Sequence, residues 1–280
     1  MASGLMILLL NKATSLSGDF MGLAKEYEVE MIFGLETDTM DMEGRVLNRI
    51  PVDSLDARRL EKIIKRSTGD IEQVPPMYSA VKHRGKPLYK LARRGISVER
   101  KPRQVHIREI TIKDIEKERL TLNIVCSSGT YIRTVAHDMG KSYGTGAVVS
   151  CLRRMRIGDM SVDSAAGILE IRDISRCGRL PRKSTWIISL QDFFSDYPSL
   201  TIKGDQILKV KNGSRLSPDM LQEKNRFFNK AETGKRLLPG IITVKTGDGR
   251  IAAIHRVAGI KGKDTGESEA RAFTKSVVIF

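Results

Sequence analysis

Cysteine is scarce in this chain, and histidine nearly so. Three cysteines, Cys126, Cys151 and Cys177, and four histidines, His83, His106, His137 and His255, are dispersed through 280 residues. The cysteines form no even disulfide set, and neither residue type recurs at a metal-ligand spacing. Thiols of this number and placement read as reduced cysteines of a cytoplasmic protein, with no metal expected. Long apolar runs are missing too. The strongly apolar Met1–Leu10 is far too short to span a bilayer. No basic segment precedes it, so it does not read as a signal peptide. A membrane partner is not expected. No internal repeat or low-complexity tract is evident, and the composition excludes long disordered tracts.

Acidic residues fall short of basic ones, 33 against 48, which leaves a net charge of +15. The excess is clustered: Arg58-Arg59, Lys62–Arg66, Arg93-Arg94, Arg100–Arg103, Arg153–Arg156 and Arg179–Lys183. Clustered cations gain most from a polyanion, because each neutralised phosphate releases counterions. An anionic membrane surface is the weaker alternative, since no cluster adjoins an apolar anchor. Hydrophobic residues at 40% allow a substantial core, in one large domain or two unequal ones.

The chain is organised around Cys126–Gly140. Leu120–Val125 alternates like a half-buried strand, and the chain then bends at Ser128-Gly129. A helical pattern follows, with Ile132, Val135, Ala136 and Met139 on one face and glycines at 140 and 144 to end it. Tyr131 and Arg133 therefore stand at a helix start beside a sheet end, and a buried arginine there needs an anionic partner.

Elsewhere Gly4–Leu10 predicts a buried strand, and Asn11–Leu23 a turn into a short helix. Lys25–Phe33 alternates Tyr27, Val29 and Met31 against Glu26, Glu28 and Glu30, which predicts a strand with one wet face. Arg45–Ile50 reads as a short strand. Ser54–Ser67 reads as a helix with Ser54 as its N-cap. The paired prolines 75 and 76 predict an extended exit from it. Leu88–Gly95 predicts a short helix, and Val105–Lys113 with Arg119–Val125 an antiparallel pair. Ala147–Gly158 reads as a helix or turn running into a strand. Ile168–Ser175 and Ser189–Phe194 read as short helices, with irregular sequence at Arg176–Ser184 between them. Near Tyr197-Pro198 the texture changes to short strands at 200–202, 207–210, 241–244, 251–255 and 277–280. The expected division is residues 1–196 and a smaller β-rich module, 197–280.

Five stretches, in order, carry a resemblance. They are Ala2–Leu5 with Lys12-Ala13-Thr14; Lys25-Glu26-Tyr27 through Gly34 to Thr37–Asp41; Pro75–Lys82 with Gly85, Leu88-Tyr89 and Ala92–Gly95; Cys126–Gly140; and Leu152–Gly158. Together they resemble the bacterial TruB family of tRNA pseudouridine synthases from Met1 to about Asp163. The last eighty or so residues are similar only loosely to that family's C-terminal, PUA-like RNA-binding module. The resemblance implies an α/β (α+β) fold: a mixed, mainly antiparallel sheet with helices on its faces and a cleft across it. It implies a cytoplasmic monomer that acts on the T stem-loop of tRNA without cofactor or metal. The reaction turns the uridine at position 55 into pseudouridine. The base is flipped into a pocket and an aspartate attacks.

Carried onto this sequence, the resemblance makes Tyr27 the ring that stacks on the flipped uracil and Tyr131 the tyrosine beside the base. Arg133 becomes the arginine that holds the catalytic aspartate ionised. Leu152 lines the pocket, and Lys82, Arg153 and Arg154 are candidate phosphate contacts. Cys126 reads as a packed strand residue. The family's nucleophilic aspartate belongs to a Leu-Asp-Pro segment immediately ahead of the Ala-Ser-Gly-Leu found here at 2–5, so it is expected two positions before Met1. Asp38 and Asp41 match the family's own loop, and Asp138 is turned away from Arg133 on an ideal helix. Arg133 is thus expected without its anion inside this chain. The favoured explanation is a start placed at an internal methionine of a longer enzyme; an interrupted gene is another. The alternative function is a catalytically inactive tRNA-binding or RNA-folding protein.

Overall fold

The structure, a computed structural model, describes residues 2–177, 186–202, 205–212, 238, 241–258 and 273–279. The basic cluster Arg179–Lys183 lies outside the described residues, as does most of the irregular stretch Arg176–Ser184. Contacts divide the chain into two compact units. One comprises Met1–Met6 and Gly22–Asp163, the other Ile7–Met21 and Ser164–Phe280. The change of texture at Tyr197 falls inside the second unit.

The first unit, in chain order, contains β1 (Ser3–Gly4), β2 (Lys25–Phe33), β3 (Leu35–Thr37), β4 (Val46–Arg49), α1 (Ala57–Arg66), β5 (Gly69–Gln73), β6 (Lys82–His83), β7 (Lys86–Pro87) and α2 (Leu88–Ala92). It continues with β8 (Arg103–Glu116), β9 (Arg119–Cys126), α3 (Ile132–Tyr143), β10 (Ala147–Ile157) and β11 (Met160–Ser161). The main sheet runs β1-β10-β2-β9-β8-β5, with β11 pairing β10. Only the β1–β10 pair among these is parallel. The expected mixed, mainly antiparallel α/β architecture is what forms.

Alternation decides which face is buried. Val29, Met31 and Phe33 on β2, and Leu120, Leu122, Ile124 and Cys126 on β9, point into one core. α3 covers it with Ile132, Val135, Ala136 and Met139, the residues its periodicity selected. The opposite face is wet, and two of its acids are paired: Glu30 with Arg119 at 2.7 Å and Glu26 with Asn123 at 2.9 Å.

Several sequence expectations are corrected. Gly4–Leu10 is not a buried strand. The strand ends at Gly4, the Leu5 N–H makes one last bond to the Arg154 carbonyl, Leu5 alone is buried, and Met6, Leu8 and Leu10 are exposed. Apolarity reads as core, but burial also needs a facing surface, and one residue finds it. The cap of α1 is Asp56 rather than Ser54. The Asp56 carboxylate accepts from the N–H groups of Arg58 and Arg59, where its charge also suits the helix dipole. Ala147–Ile157 is strand throughout. β10 is inserted between β1 and β2, so each side has ladder partners, and two bulges absorb its irregularities.

In the second unit, Ser199–Thr201, Ile241–Lys245, Ile251–Ala258 and Phe273–Ile279 form a four-stranded sheet. The expected strand at 207–210 is a helix, Asp205–Lys211, that buries Val210 in a cluster with Ile202, Ile242, Val244 and Ala253 and packs Ile207 against that cluster. The spacing of three between Ile207 and Val210 serves one face of a helix, and so short an apolar run does not choose between the periods. Phe193, Phe194 and Tyr197 form an aromatic cluster beside this sheet's first strand, with Phe194 and Tyr197 ring centroids 4.6 Å apart.

Candidate active site

The turn after β9 and the first turn of α3 set the site. Thr130 Oγ1 donates to the Ser127 carbonyl at 2.9 Å, which closes the turn. Tyr131 is the N-cap of α3, with an extended backbone and no side-chain cap of its own. Arg133 follows on the first turn and is held three times. Nη1 donates to the Asp41 carboxylate at 2.9 Å and to the Thr39 carbonyl at 3.1 Å. Nη2 donates to the Tyr78 carbonyl at 2.7 Å. Only 24% of the Arg133 side chain and 21% of Asp41 is exposed, so this pair is far less screened than a surface pair.

Arg133 therefore has an anion inside the chain, contrary to the sequence expectation, and that anion is Asp41. Asp41 is also anchored within its own loop. The Asp41 Oδ1 accepts from Thr39 Oγ1 at 2.5 Å and from the Glu43 N–H at 3.1 Å, while its carbonyl accepts from Thr37 Oγ1. Its second oxygen remains for the guanidinium. The same loop is tied to the sheet, since the Val149 N–H donates to the Met40 carbonyl and Asp41 bridges Val149 in parallel register. Asp38 instead accepts from the Arg45 N–H. Asp138 is exposed, and partial desolvation of its carboxyl pushes it up. A cavity of about 310 Å³ opens over this cluster, lined by Asp38, Thr39, Asp41, Tyr78, Arg93 and Arg133.

A second group lies on the main sheet. Tyr27 on β2 faces Arg154 on β10 and Ile124 on β9, and Leu152 faces Val29. Pleating puts Tyr27, Leu152 and Arg154 on one face, and Tyr27 and Leu152 pack on the core. Burial pushes the Tyr27 phenol up, and a hydrogen bond with Arg154 pulls the other way. Arg154 is steadied by the Leu5 carbonyl at 2.7 Å from Nε. Burial first, then the Arg154 charge, lower the Lys25 ammonium. Cys126, opposite Lys25, is buried, and burial pushes its thiol up, which suits a packing role.

Two predicted residues stand apart from these groups. Arg153 faces Glu28 on the other side of the sheet. Lys82 is exposed on the separate β6–β7 hairpin. Sequence reasoning missed Thr39 and Tyr78, which meet Arg133 through backbone carbonyls and so leave no side-chain signal. It also missed Gln73, whose Oε1 accepts from the Tyr131 N–H at 2.7 Å. No described helix is long and apolar enough to cross a membrane.

Residues 1–132 match the family model described as TruB family pseudouridylate synthase, N-terminal domain. The chain is similar to the tRNA pseudouridine synthase B of Dechloromonas aromatica, 36% identical over 229 residues, covering 81% of this chain and 75% of that protein. It is similar also to that of Nitrosococcus oceani, 35% identical over 252 residues, covering 90% and 80%. Among solved structures, a chain of a Cbf5-Nop10-Gar1 complex superposes with a TM-score of 0.59 at 20% identity, covering 89% of this chain and 64% of that one. A chain of an H/ACA RNP bound to a substrate RNA containing 2'-deoxyuridine gives 0.60 at 17%, covering 97% and 70%. These two carry the fold, while the closer sequences carry the kinship: the chain belongs to the TruB family of pseudouridylate synthases.

Proposed function

We propose that this protein isomerises uridine to pseudouridine in tRNA, at position 55 of the T loop. The observation that carries the reading is Arg133, fixed at a helix start beside a cavity by Asp41 and two carbonyls. In this reading Tyr27 stacks on the flipped uracil, Tyr131 lies beside it and Leu152 lines the pocket. Burying a base costs unstacking, which an aromatic platform offsets. The nucleophile is an aspartate that the family resemblance puts two positions ahead of Met1. β1 runs parallel to β10, with Ser3 opposite Arg153. In this reading the attacking aspartate meets Arg133 beside Asp41. Arg133 then serves two carboxylates, and its fixed fork orients the attacking one.

The chemistry is internally balanced. The aspartate bonds to the nucleotide and the N1–C1′ bond breaks; the uracil turns, a C5–C1′ bond forms, and the aspartate's bond to the nucleotide breaks again, which returns a free carboxylate. C5 gives up a proton and N1 gains one, so no oxidant, reductant or cofactor is consumed. Lys82, Arg153 and Arg154 act on phosphates, from more than one side of the sheet, and residues 197–280 serve as a PUA-like RNA-binding module. The protein works as a cytoplasmic monomer.

The deciding experiment measures pseudouridine in a T-loop transcript, using the 280-residue chain and a chain extended by the upstream codons. Turnover at that uridine by the extended chain supports the reading, whereas turnover by the 280-residue chain would overturn the assignment of the nucleophile ahead of Met1. Inactivity of both, with tRNA binding intact, favours the alternative of an RNA-binding protein without chemistry. A second prediction concerns Tyr27. Tyr27→Ala is expected to lower turnover by about tenfold to a hundredfold, the worth of one base–aromatic stack, with tRNA affinity little changed. Tyr27→Phe keeps the ring and most of the activity. Equal loss of turnover and affinity in Tyr27→Ala would remove its assigned role. For Lys82→Ala, affinity should fall and the slope of log K against log salt should flatten by roughly 0.7–0.9, one phosphate contact. An unchanged slope would exclude Lys82 from the contact set.

A further inference from the structure

Gln73 is almost wholly buried, 2% exposed, at the last position of β5. Its side chain closes both ends of one residue's backbone. Oε1 accepts from the Tyr131 N–H at 2.7 Å, and Nε2 donates to the Tyr131 carbonyl at 3.1 Å. Only one orientation of the amide satisfies both bonds, because an N–H can only donate and a carbonyl only accept. The two groups are not equally dependent on it. The Tyr131 carbonyl also accepts the first helical bonds, from the N–H groups of Thr134 and Val135. The Tyr131 N–H precedes the helix, and α3 has no side-chain cap. A buried N–H without an acceptor is costly, so Gln73 fixes where α3 begins.

The same segment reaches the site again five residues later. After Gln73 come Val74 and two prolines, which supply no ladder donors. The chain leaves the sheet there, and at Tyr78 its carbonyl accepts from Arg133. Residues 73–78 thus hold the first turn of α3 at both Tyr131 and Arg133. We propose that Gln73 is a positioning residue, which sets the direction of Tyr131 and Arg133 by clamping the Tyr131 backbone. This rests on the pseudouridine-synthase reading above.

The test uses Gln73→Met and Gln73→Glu in the full protein. Methionine keeps the length and apolar packing but offers Tyr131 no hydrogen-bonding amide. Melting curves set an assay temperature at which every variant is folded. Expected for Gln73→Met is a fall in kcat of about tenfold to a hundredfold, as for a small misplacement of reacting groups, with the Kd for tRNA within a few-fold of wild type. Amide exchange in peptides covering 127–135 should quicken. Gln73→Glu supplies a distinct signature. Its carboxylate can accept but cannot donate, whereas the protonated acid does both, and burial raises its pKa. Its kcat relative to wild type at the same pH should therefore climb as pH falls. A folded Gln73→Met with wild-type kcat, or a Gln73→Glu ratio flat with pH, overturns the proposal alone. A wild-type chain extended by the upstream codons that makes no pseudouridine at all overturns the reading beneath it as well.

Discussion

Replacing Arg133 by alanine is expected to lower pseudouridine formation by about a hundredfold to a thousandfold, the usual cost of removing one pre-aligned group at a site of developing charge. Three acceptors converge on this guanidinium: the Asp41 carboxylate and the carbonyls of Thr39 and Tyr78. Arg133→Lys should recover little, because one ammonium on a flexible stem cannot span acceptors arranged around a planar fork. Folding should suffer much less than activity. The pair is partly exposed, so its loss lies between the ~1 kcal/mol of a surface pair and the ~3–5 of a buried one; about 2 kcal/mol is expected. For a unit of this size that is a melting shift of about 4–8 °C. Asp41→Asn should share the kinetic defect, since it puts an uncharged amide where the guanidinium expects a carboxylate. Quantifying pseudouridine at saturating tRNA, below the melting range of each variant, checks both. Wild-type turnover in folded Arg133→Ala would show that the cavity over Arg133 is not where the reaction occurs.

The sheet and α3 were legible in the sequence for a physical reason. Lys25–Phe33 and Arg119–Cys126 each bury one face, so every second residue had to be apolar. Ile132–Tyr143 buries one stripe and ends at glycine. Where burial was two-sided or absent, periodicity failed. Ala147–Ile157 sits between two strands and reads as a helix or turn running into a strand, and Gly4–Leu10 is apolar although only Leu5 enters a core. The site was half legible. Tyr131 and Arg133 stood out because a strand, a turn and a helix start position them. Their holders did not. Gln73 lies 58 residues from Tyr131, and Asp41 lies 92 residues from Arg133. Single-sequence patterns report neighbours three or four apart, and contacts over that span exist only once the sheet has closed. The expectation that Arg133 lacked an anion failed for the same reason. Asp41 reads as a loop acid, but a carboxylate has two oxygens, and the loop uses one.

Gly140→Ala is expected to be among the most destabilising single changes in the first unit, although helix propensity argues the opposite. An alanine in a helix is worth about 1 kcal/mol over glycine, and Gly140 lies inside α3. Its missing Cβ, however, would stand 2.0–2.3 Å from the Ala147 nitrogen and the Gly146 carbonyl carbon. Both are backbone atoms entering β10, and neither can rotate aside. The Gly140 carbonyl also accepts from the N–H groups of Thr145 and Gly146, so the turn that would have to move is bonded to the residue being changed. Overpacking against a fixed wall should cost about 3 kcal/mol, at the upper end for added methyls, or about 6–12 °C in the melting midpoint. Gly144→Ala is the control. Gly144 has φ +85 and ends α3, yet its added Cβ would meet only Arg59 Nη2, at 3.6 Å. Only the left-handed backbone penalises it, by about 1–2 kcal/mol. Thermal unfolding of the two variants should therefore rank Gly140→Ala below Gly144→Ala. The reverse order would mean that α3 can move away from β10 freely. If it can, the register of α3 against the sheet is not what fixes Arg133, and the clamps at Tyr131, Asp41 and Tyr78 must hold the site unaided.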